Sequence, residues 1–134
     1  MFINGTTVKF EAYYIGGSNY FKLRDLALAL KWTEKQFNVG YDETTKAITL
    51  TSGVAYEMIG GEMSAGDGLA KPAVLNESIN ISKDGAPVTV TAYLIGGNNF
   101  VKLRDVMEMF DIYVGYDPAT RDITIDTSEP YTAQ

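Results

Sequence analysis

The chain has 134 residues, 46% of them apolar and 21% charged, with 11 basic against 17 acidic side chains and a formal charge of −6. That length suits one good core or two very small ones, and the composition excludes wholesale disorder. Cysteine and histidine are both absent, which removes disulfides, thiolate chemistry, most zinc and copper sites and the histidine-dependent triads.

The charge is unevenly placed: six basic and six acidic residues in 1–59, one and three in 60–78, four and eight in 79–134. Nothing forms a basic stripe, so nucleic acid is not an expected partner. No apolar run approaches ~18 residues, so membrane insertion is not expected. Met1 to Gly5 enters strand-like sequence without the charged and apolar regions of a signal peptide. The chain is therefore expected at the cell surface or secreted if such a peptide has been removed, and in the cytoplasm otherwise.

Asn4-Gly5 is a hairpin signal, because a tight two-residue turn needs positive φ angles there. Val8, Phe10, Ala12 and Tyr14 then alternate on one face and are expected to meet the core, with Tyr13 and Ile15 opposite. Gly16-Gly17 reads as a strand-to-helix turn, with Ser18 or Asn19 capping a helix that runs to about Lys31. Tyr20, Leu23, Ala27 and Leu30 would form its buried stripe, and Lys22 would pair with Asp25 one turn on. Phe37 to Leu50 reads as a hairpin turning at Asp42, whose carboxylate can accept backbone N–H bonds. Val54 to Met63 has strand character, and 60–72 is a Gly, Ala and Ser-rich connector.

The second part of the chain repeats the first. Asp84-Gly85 matches Asn4-Gly5, and Val88, Val90, Ala92 and Leu94 match the first strand, with Tyr93 and Ile95 on its other face. Ile95-Gly96-Gly97-Asn98-Asn99-Phe100-Val101-Lys102-Leu103-Arg104-Asp105 returns Ile15 to Asp25 almost letter for letter. Phe100, Leu103, Met107 and Phe110 repeat the helix stripe. Ile112 to Ile125 repeats the second hairpin, with Asp117 and Pro118 at its turn. The offset between copies falls from 80 to 75 residues, which leaves five extra residues in the first copy around Trp32 to Gln36. The tail from Glu129 is expected to fray.

The expected fold is α+β, with repeats at 1–59 and 79–134 and a connector at 60–78. Each repeat would be an antiparallel sheet curled around one helix, the pair packed with pseudo-twofold symmetry. An uncovered strand edge would be a route to a homodimer.

The Gly-Gly turns at the expected helix starts are the candidate ligand site. Gly16, Gly17, Asn19, Tyr20, Lys22 and Arg24, with Gly96, Gly97, Asn99, Lys102 and Arg104, would offer backbone N–H groups and positive charge to a phosphate or carboxylate. The competing reading is structural: glycine for the turn, Asn as cap, and locally paired charges. Neither turn fits a Walker or Rossmann fingerprint. Tyr13, Tyr20, Trp32, Tyr41, Tyr93 and Tyr116 could stack on a sugar or base, though such residues more commonly pack across strands. Asp42 with Glu43, and Asp117 with Asp122, are better explained by turns than by hydrolysis or calcium binding. No catalytic residue, metal ligand or cofactor is expected.

The pattern Gly-Gly-x-Asn-Tyr/Phe-x-Lys-Leu-Arg-Asp, followed by Val-Gly-Tyr-Asp-x-x-Thr-x-x-Ile-Thr-Leu/Ile, resembles the copper amine oxidase N-terminal domain-like, or stalk domain, family. The resemblance covers both copies. It implies a five-stranded antiparallel sheet wrapped around a helix, remote from any copper centre, in Gram-positive surface proteins. The oxidase chemistry needs histidines that this chain lacks, so copper and amine oxidation are not implied. Two functions are therefore expected in competition. One is a non-catalytic stalk or adhesion module touching a cell-wall polymer or another protein domain. The other is a free-standing, phage-type cytoplasmic protein that sequesters a small anionic metabolite such as a nucleotide.

Overall fold

The computed structural model describes residues 1–9, 11–59, 62, 72–76, 79–120 and 122–132. The expected connector, apart from Glu62 and residues 72–76, lies outside these residues, as do Phe10, Met63 and the last two residues of the tail.

Both short hairpins form as their sequences require. β1 (Phe2–Ile3) and β2 (Thr6–Thr7) turn at Asn4-Gly5, with φ of 51° and 83°. Their later counterparts turn at Asp84-Gly85, with φ of 51° and 85°. Asn and Gly tolerate this left-handed backbone at little cost, and Asp is the next best choice.

The Gly-Gly turns differ from expectation. Gly16 and Gly17 have φ of 57° and 86°, and they join β3 (Ala12–Ile15) to β4 (Ser18–Lys22) in a hairpin. Residues 18 to 22 are strand rather than helix, so Asn19 and Asn99 cap nothing. Two consecutive positive φ values match the twist of a hairpin, and Tyr20-Phe21 and Phe100-Val101 are strand formers buried on opposite faces. Helix α1 is confined to Leu23–Ala29, with Lys22 at its N-cap and no side-chain cap bond. Seven residues cannot hold a helix in isolation. Packing of Leu23, Leu26 and Ala27 holds it, and full burial of Leu26 alone contributes roughly 1.5–3 kcal/mol.

β5 (Phe37–Asp42) and β6 (Ala47–Ser52) form the expected second hairpin, and the Asp42 carboxylate accepts the Thr44 N–H at 2.9 Å. After it, Val54 to Ile59 does not form the expected strand. β7 (Ala73–Leu75) precedes the second series: β8 (Asn80–Lys83), β9 (Ala86–Pro87), β10 (Ala92–Ile95), β11 (Asn98–Lys102), α2 (Leu103–Met109), β12 (Tyr113–Asp117) and β13 (Asp122–Asp126). Asp117 likewise accepts the Ala119 N–H at 2.9 Å. The tail is tied more closely than expected, since Tyr131 N–H donates to Asp111 at 3.0 Å.

Among the described residues the strands assemble as an α+β fold of three sheets, and each of these mixes the two copies. One has the order β12-β13-β1-β2, another β5-β6-β8-β9, and the largest β3-β4-β11-β10-β7. The expectation of a separate antiparallel sheet for each copy is thus corrected: β13 lies parallel to β1, and β6 parallel to β8. In the largest sheet β4 and β11 are antiparallel, with Phe21 opposite Val101, Lys22 opposite Phe100 and Tyr20 opposite Lys102.

The crossing pairs are locked at their ends by the hairpin turns. Asn4 N–H donates to the Ile125 carbonyl, and the Asn4 side chain both donates to Thr127 Oγ1 at 2.9 Å and accepts its N–H at 3.0 Å. Asp84 does the same work at the other junction, accepting the Ser52 N–H at 2.9 Å and the Ser52 hydroxyl at 2.5 Å. The Ser52 hydroxyl and N–H hold the Asp84 carboxyl below its usual range. Because the folded-state pKa is the lower one, the stabilisation is complete above the ordinary carboxylate pKa and fades as pH falls through the folded value. Asp84→Asn is expected to keep the turn, as Asn4 does, and to flatten this acid dependence in urea midpoints measured between pH 2 and 6.

One core runs between the small sheets, the helices and one face of the largest sheet, and it includes Ile3, Phe21, Leu26, Phe37 and Leu50 with Val101, Val106, Phe110, Ile112 and Ile125. Phe37 stacks on Phe110 at 4.3 Å between ring centroids and 11° between planes. The opposite face of the largest sheet carries a second cluster of Tyr20, Ile95 and Phe100, flanked by Tyr13, Ile15 and Tyr93. Tyr20 and Phe100 therefore leave the expected helix stripe. Instead, Tyr13 meets Phe100 edge-on at 5.0 Å and Tyr20 meets Tyr93 at 5.1 Å, each pair joining the two copies. Tyr14, expected inside, is 69% exposed: it shares the main-core face with Phe21 but lies nearer the Gly16-Gly17 turn, opposite Asn19, where it borders a cleft instead of the core.

Candidate functional site

Two clefts flank the central sheet, and they are built from matching positions. Cleft one is lined by Tyr14, Gly17, Ser18 and Asn19 of the first copy and by Lys102, Leu103, Arg104, Val114, Gly115, Tyr116 and Ile123 of the second. Cleft two is lined by Lys22, Leu23, Arg24, Val39, Gly40, Tyr41 and Ile48 of the first copy, Asn98 and Asn99 of the second, and Ile59. Cleft one encloses about 100 Å³ and cleft two about 340 Å³.

The topology explains the crossing. β4 and β11 run side by side, so the start of each strand lies beside the end of the other, where the chain enters the other copy's helix. Asn19 is thereby brought to Lys102 and Arg104, and Asn99 to Lys22 and Arg24. The expected grouping of each Gly-Gly turn with its own Lys-Leu-Arg is corrected in this respect. Gly17 lines cleft one, while Gly16, Gly96 and Gly97 line neither cleft. Tyr20 is buried in the second cluster, where desolvation first, and then the nearby Tyr93 and Asp105, push its phenol above the ordinary range. The Gly-Gly turns are not helix starts: each helix has seven residues and begins only after the strand, at Leu23 and Leu103.

The cations differ in how they are held. Lys22 pairs with Glu11 at 3.1 Å rather than with Asp25, and its ammonium lies 5.8 Å from the Phe100 ring centroid. At the matching place beside Lys102 stands Thr91, whose carbonyl accepts the Lys102 N–H at 2.9 Å. Asp25 and Asp105 open the helices instead: Asp25 is buried, and Asp105 accepts the Thr91 N–H at 2.7 Å, fastening the incoming strand to the helix. Arg24 donates to the Val39 carbonyl and to the Tyr56 hydroxyl, both at 3.4 Å. Tyr56 in turn donates to Glu62 at 2.7 Å, and Glu62 also accepts the Ile59 N–H at 2.8 Å. This network ties Tyr56, Ile59 and Glu62 to Arg24 of cleft two, and burial pushes the Tyr56 phenol upward against the opposing pull of Arg24.

Neither cleft has an Asp or Glu among its described lining residues, although the chain is acidic overall. Tyr14, Tyr41 and Tyr116 are 69%, 52% and 43% exposed at the cleft walls, whereas Tyr13 and Tyr93 are packing residues. Trp32 is 79% exposed beside Lys31, away from both clefts. The arrangement can offer an anion one or two cations and an amide side chain, with a phenol ring beside them. Among the described residues no cluster of Asp, Glu, His or Cys is arranged to hold a metal ion, and no helix is long and apolar enough to cross a membrane.

The sequence reading named Tyr41 and Tyr116 as stacking candidates but missed Tyr14, Tyr56, Glu62 and the Val-Gly pairs at 39–40 and 114–115 that complete the walls. The repetition of Val-Gly-Tyr was the available signal for the walls. Gly40 permits a close approach, since a Cβ there would lie 2.6 Å from Thr49 Oγ1. No protein-family model, curated protein or solved structure matches this chain.

Proposed function

We propose that the chain is a non-catalytic binding module that uses its two matching clefts to hold a small anionic ligand such as a nucleotide, on a duplicated scaffold of the stalk-domain type. The observation that carries this reading is the repeated meeting, across copies, of an Asn with a Lys-Leu-Arg segment in clefts whose described linings are free of acidic residues. Cleft one has room for an anionic head group, with Tyr14 and Tyr116 beside it for a ring. Cleft two is roomier, about 340 Å³ against about 100 Å³, so the two sites are expected to differ in affinity. The reciprocal register of β4 and β11 supports pseudo-twofold packing as the origin of the matched pair.

Calorimetric titration with ADP tests the reading. Binding is expected to be stoichiometric, weaker at high salt, and reduced about 10–100-fold at cleft one by Arg104→Ala, the loss of roughly 1.5–3 kcal/mol from a charged hydrogen bond. Unchanged circular dichroism would show that the variant still folds. Absence of heat with ADP, together with no mass increase in native mass spectrometry, would remove the proposal. The second reading, a spacer or adhesion module of a Gram-positive surface protein, is favoured by the tandem stalk-like motifs and gains from that outcome. It predicts a parent protein with a signal peptide and contact with wall polymers.

A further inference from the structure

The largest sheet has two edges, and they are finished differently. On one, β7 lies antiparallel to β10, with Leu75 opposite Tyr93, Val74 opposite Leu94 and Ala73 opposite Ile95. Asn76 continues the contact: its N–H donates to the Ala92 carbonyl at 2.9 Å, and its side chain donates to Asn99 Oδ1 at 2.8 Å. The other edge is β3, the sequence counterpart of β10, and among the described residues β3 pairs with β4 alone. Burial follows this difference. Ala92 and Ile95 are each 1% exposed, whereas Ala12 is exposed and Ile15 only half-buried.

We propose that the β3 edge is a docking site for an extended apolar segment of another protein, laid antiparallel and chemically like Ala73-Val74-Leu75-Asn76. The chain itself displays this occupant on the matching edge. Transferred by the repeat, the segment places a small residue opposite Ile15, aliphatic residues opposite Tyr14 and Tyr13, and an Asn within reach of the Asn19 amide.

The backbone supplies the affinity. In an antiparallel pair the outward peptide groups belong to alternate residues. The Ala92 carbonyl accepts from Asn76, so Ala92 and Leu94 direct their peptide groups toward β7. Ala12 and Tyr14, their counterparts, direct theirs away from β4 and toward the incoming strand. Strand addition of this kind draws affinity from the main chain and selectivity from alternate side chains. Tyr14 supplies the side-chain contact, as Leu94 does beside Val74. Because Asn19 also lines cleft one, strand docking and occupancy of that cleft meet at one residue.

The test uses the full chain, labelled with ¹⁵N, and a synthetic Pro-Ala-Val-Leu-Asn peptide capped at both ends. In free protein the Tyr14 amide is expected to exchange with solvent at least ~100-fold faster than the Leu94 amide, since only the latter sits in a paired edge. Added peptide is expected to shift and protect the amides of Ala12 and Tyr14 and leave Leu94 unchanged, and a scrambled peptide is expected to do neither. Tyr14→Pro, which removes an outward N–H at a position where an edge strand tolerates proline, is expected to abolish the response. Asn19→Ala, which leaves the backbone intact, is expected to weaken binding several-fold and covers the case in which the proline variant does not fold. Equal protection of Tyr14 and Leu94 in free protein, peptide-induced shifts confined to other residues, or a β3 edge found covered by a second copy at the concentration used would overturn the proposal.

Discussion

Residues 1–59 and 79–134, expressed separately, are expected to be unfolded as monomers and to recover strand and helix signals only on association. Each segment by itself loses a neighbour from every sheet. The first loses β13 from beside β1, β8 from beside β6 and β11 from beside β4. The core would be cut as well, because Phe21, Leu26, Phe37 and Leu50 share one cluster with Val101, Val106, Phe110 and Ile125. A segment of about 60 residues with a complete core already buries only ~60% of its unfolded surface and is marginal. Two copies of one segment can replace the missing partners only by dimerising. Circular dichroism with sedimentation would separate these cases, and a folded monomeric half would refute the interlocked architecture.

Phe37→Ala is expected to cost about 3–5 kcal/mol, the usual range for deleting a buried aromatic ring. Phe37 is fully buried and stacks on Phe110 of the other copy, so the vacated space opens between the copies. Close packing leaves little freedom to refill it. Urea unfolding should stay a single transition, shifted to a lower midpoint with a similar slope. Two transitions, with only the first half of the chain weakened, would mean that the copies are energetically separate. A loss below about 1 kcal/mol would mean that the ring is not packed as described.

The hairpin turns were the most legible part of the sequence. Asn4-Gly5, Asp84-Gly85 and the Asp42 and Asp117 turns carry local chemistry that tertiary context did not alter. Gly16-Gly17 followed by Asn19 was ambiguous, because glycine and asparagine suit both a tight hairpin and a helix entry. The spacing of Tyr20 from Leu23 then imitated a helical stripe. The neighbouring pair Tyr20-Phe21, buried on opposite faces, was the contrary signal.

The parallel pairing of β6 with β8 was not legible for a different reason. Two copies built from the same strand motifs can satisfy a strand equally well from within or from across, and only their relative packing decides. The same ambiguity shaped the site. Lys22, Arg24, Lys102 and Arg104 do line clefts, but Asn19 belongs with Arg104 and Asn99 with Arg24. The repeated motif singled out these residues as candidates, and the crossing of β4 with β11 sets which of them line one cleft.

The cross-copy composition of the clefts is tested most directly by double-mutant cycles on ADP affinity. Asn19→Ala and Arg104→Ala, in one cleft but in different copies, are expected to couple by about 0.5–3 kcal/mol. Asn19→Ala and Arg24→Ala, in one copy but in different clefts, should add to within ~0.5 kcal/mol. Coupling within the copy and additivity across copies would contradict the account.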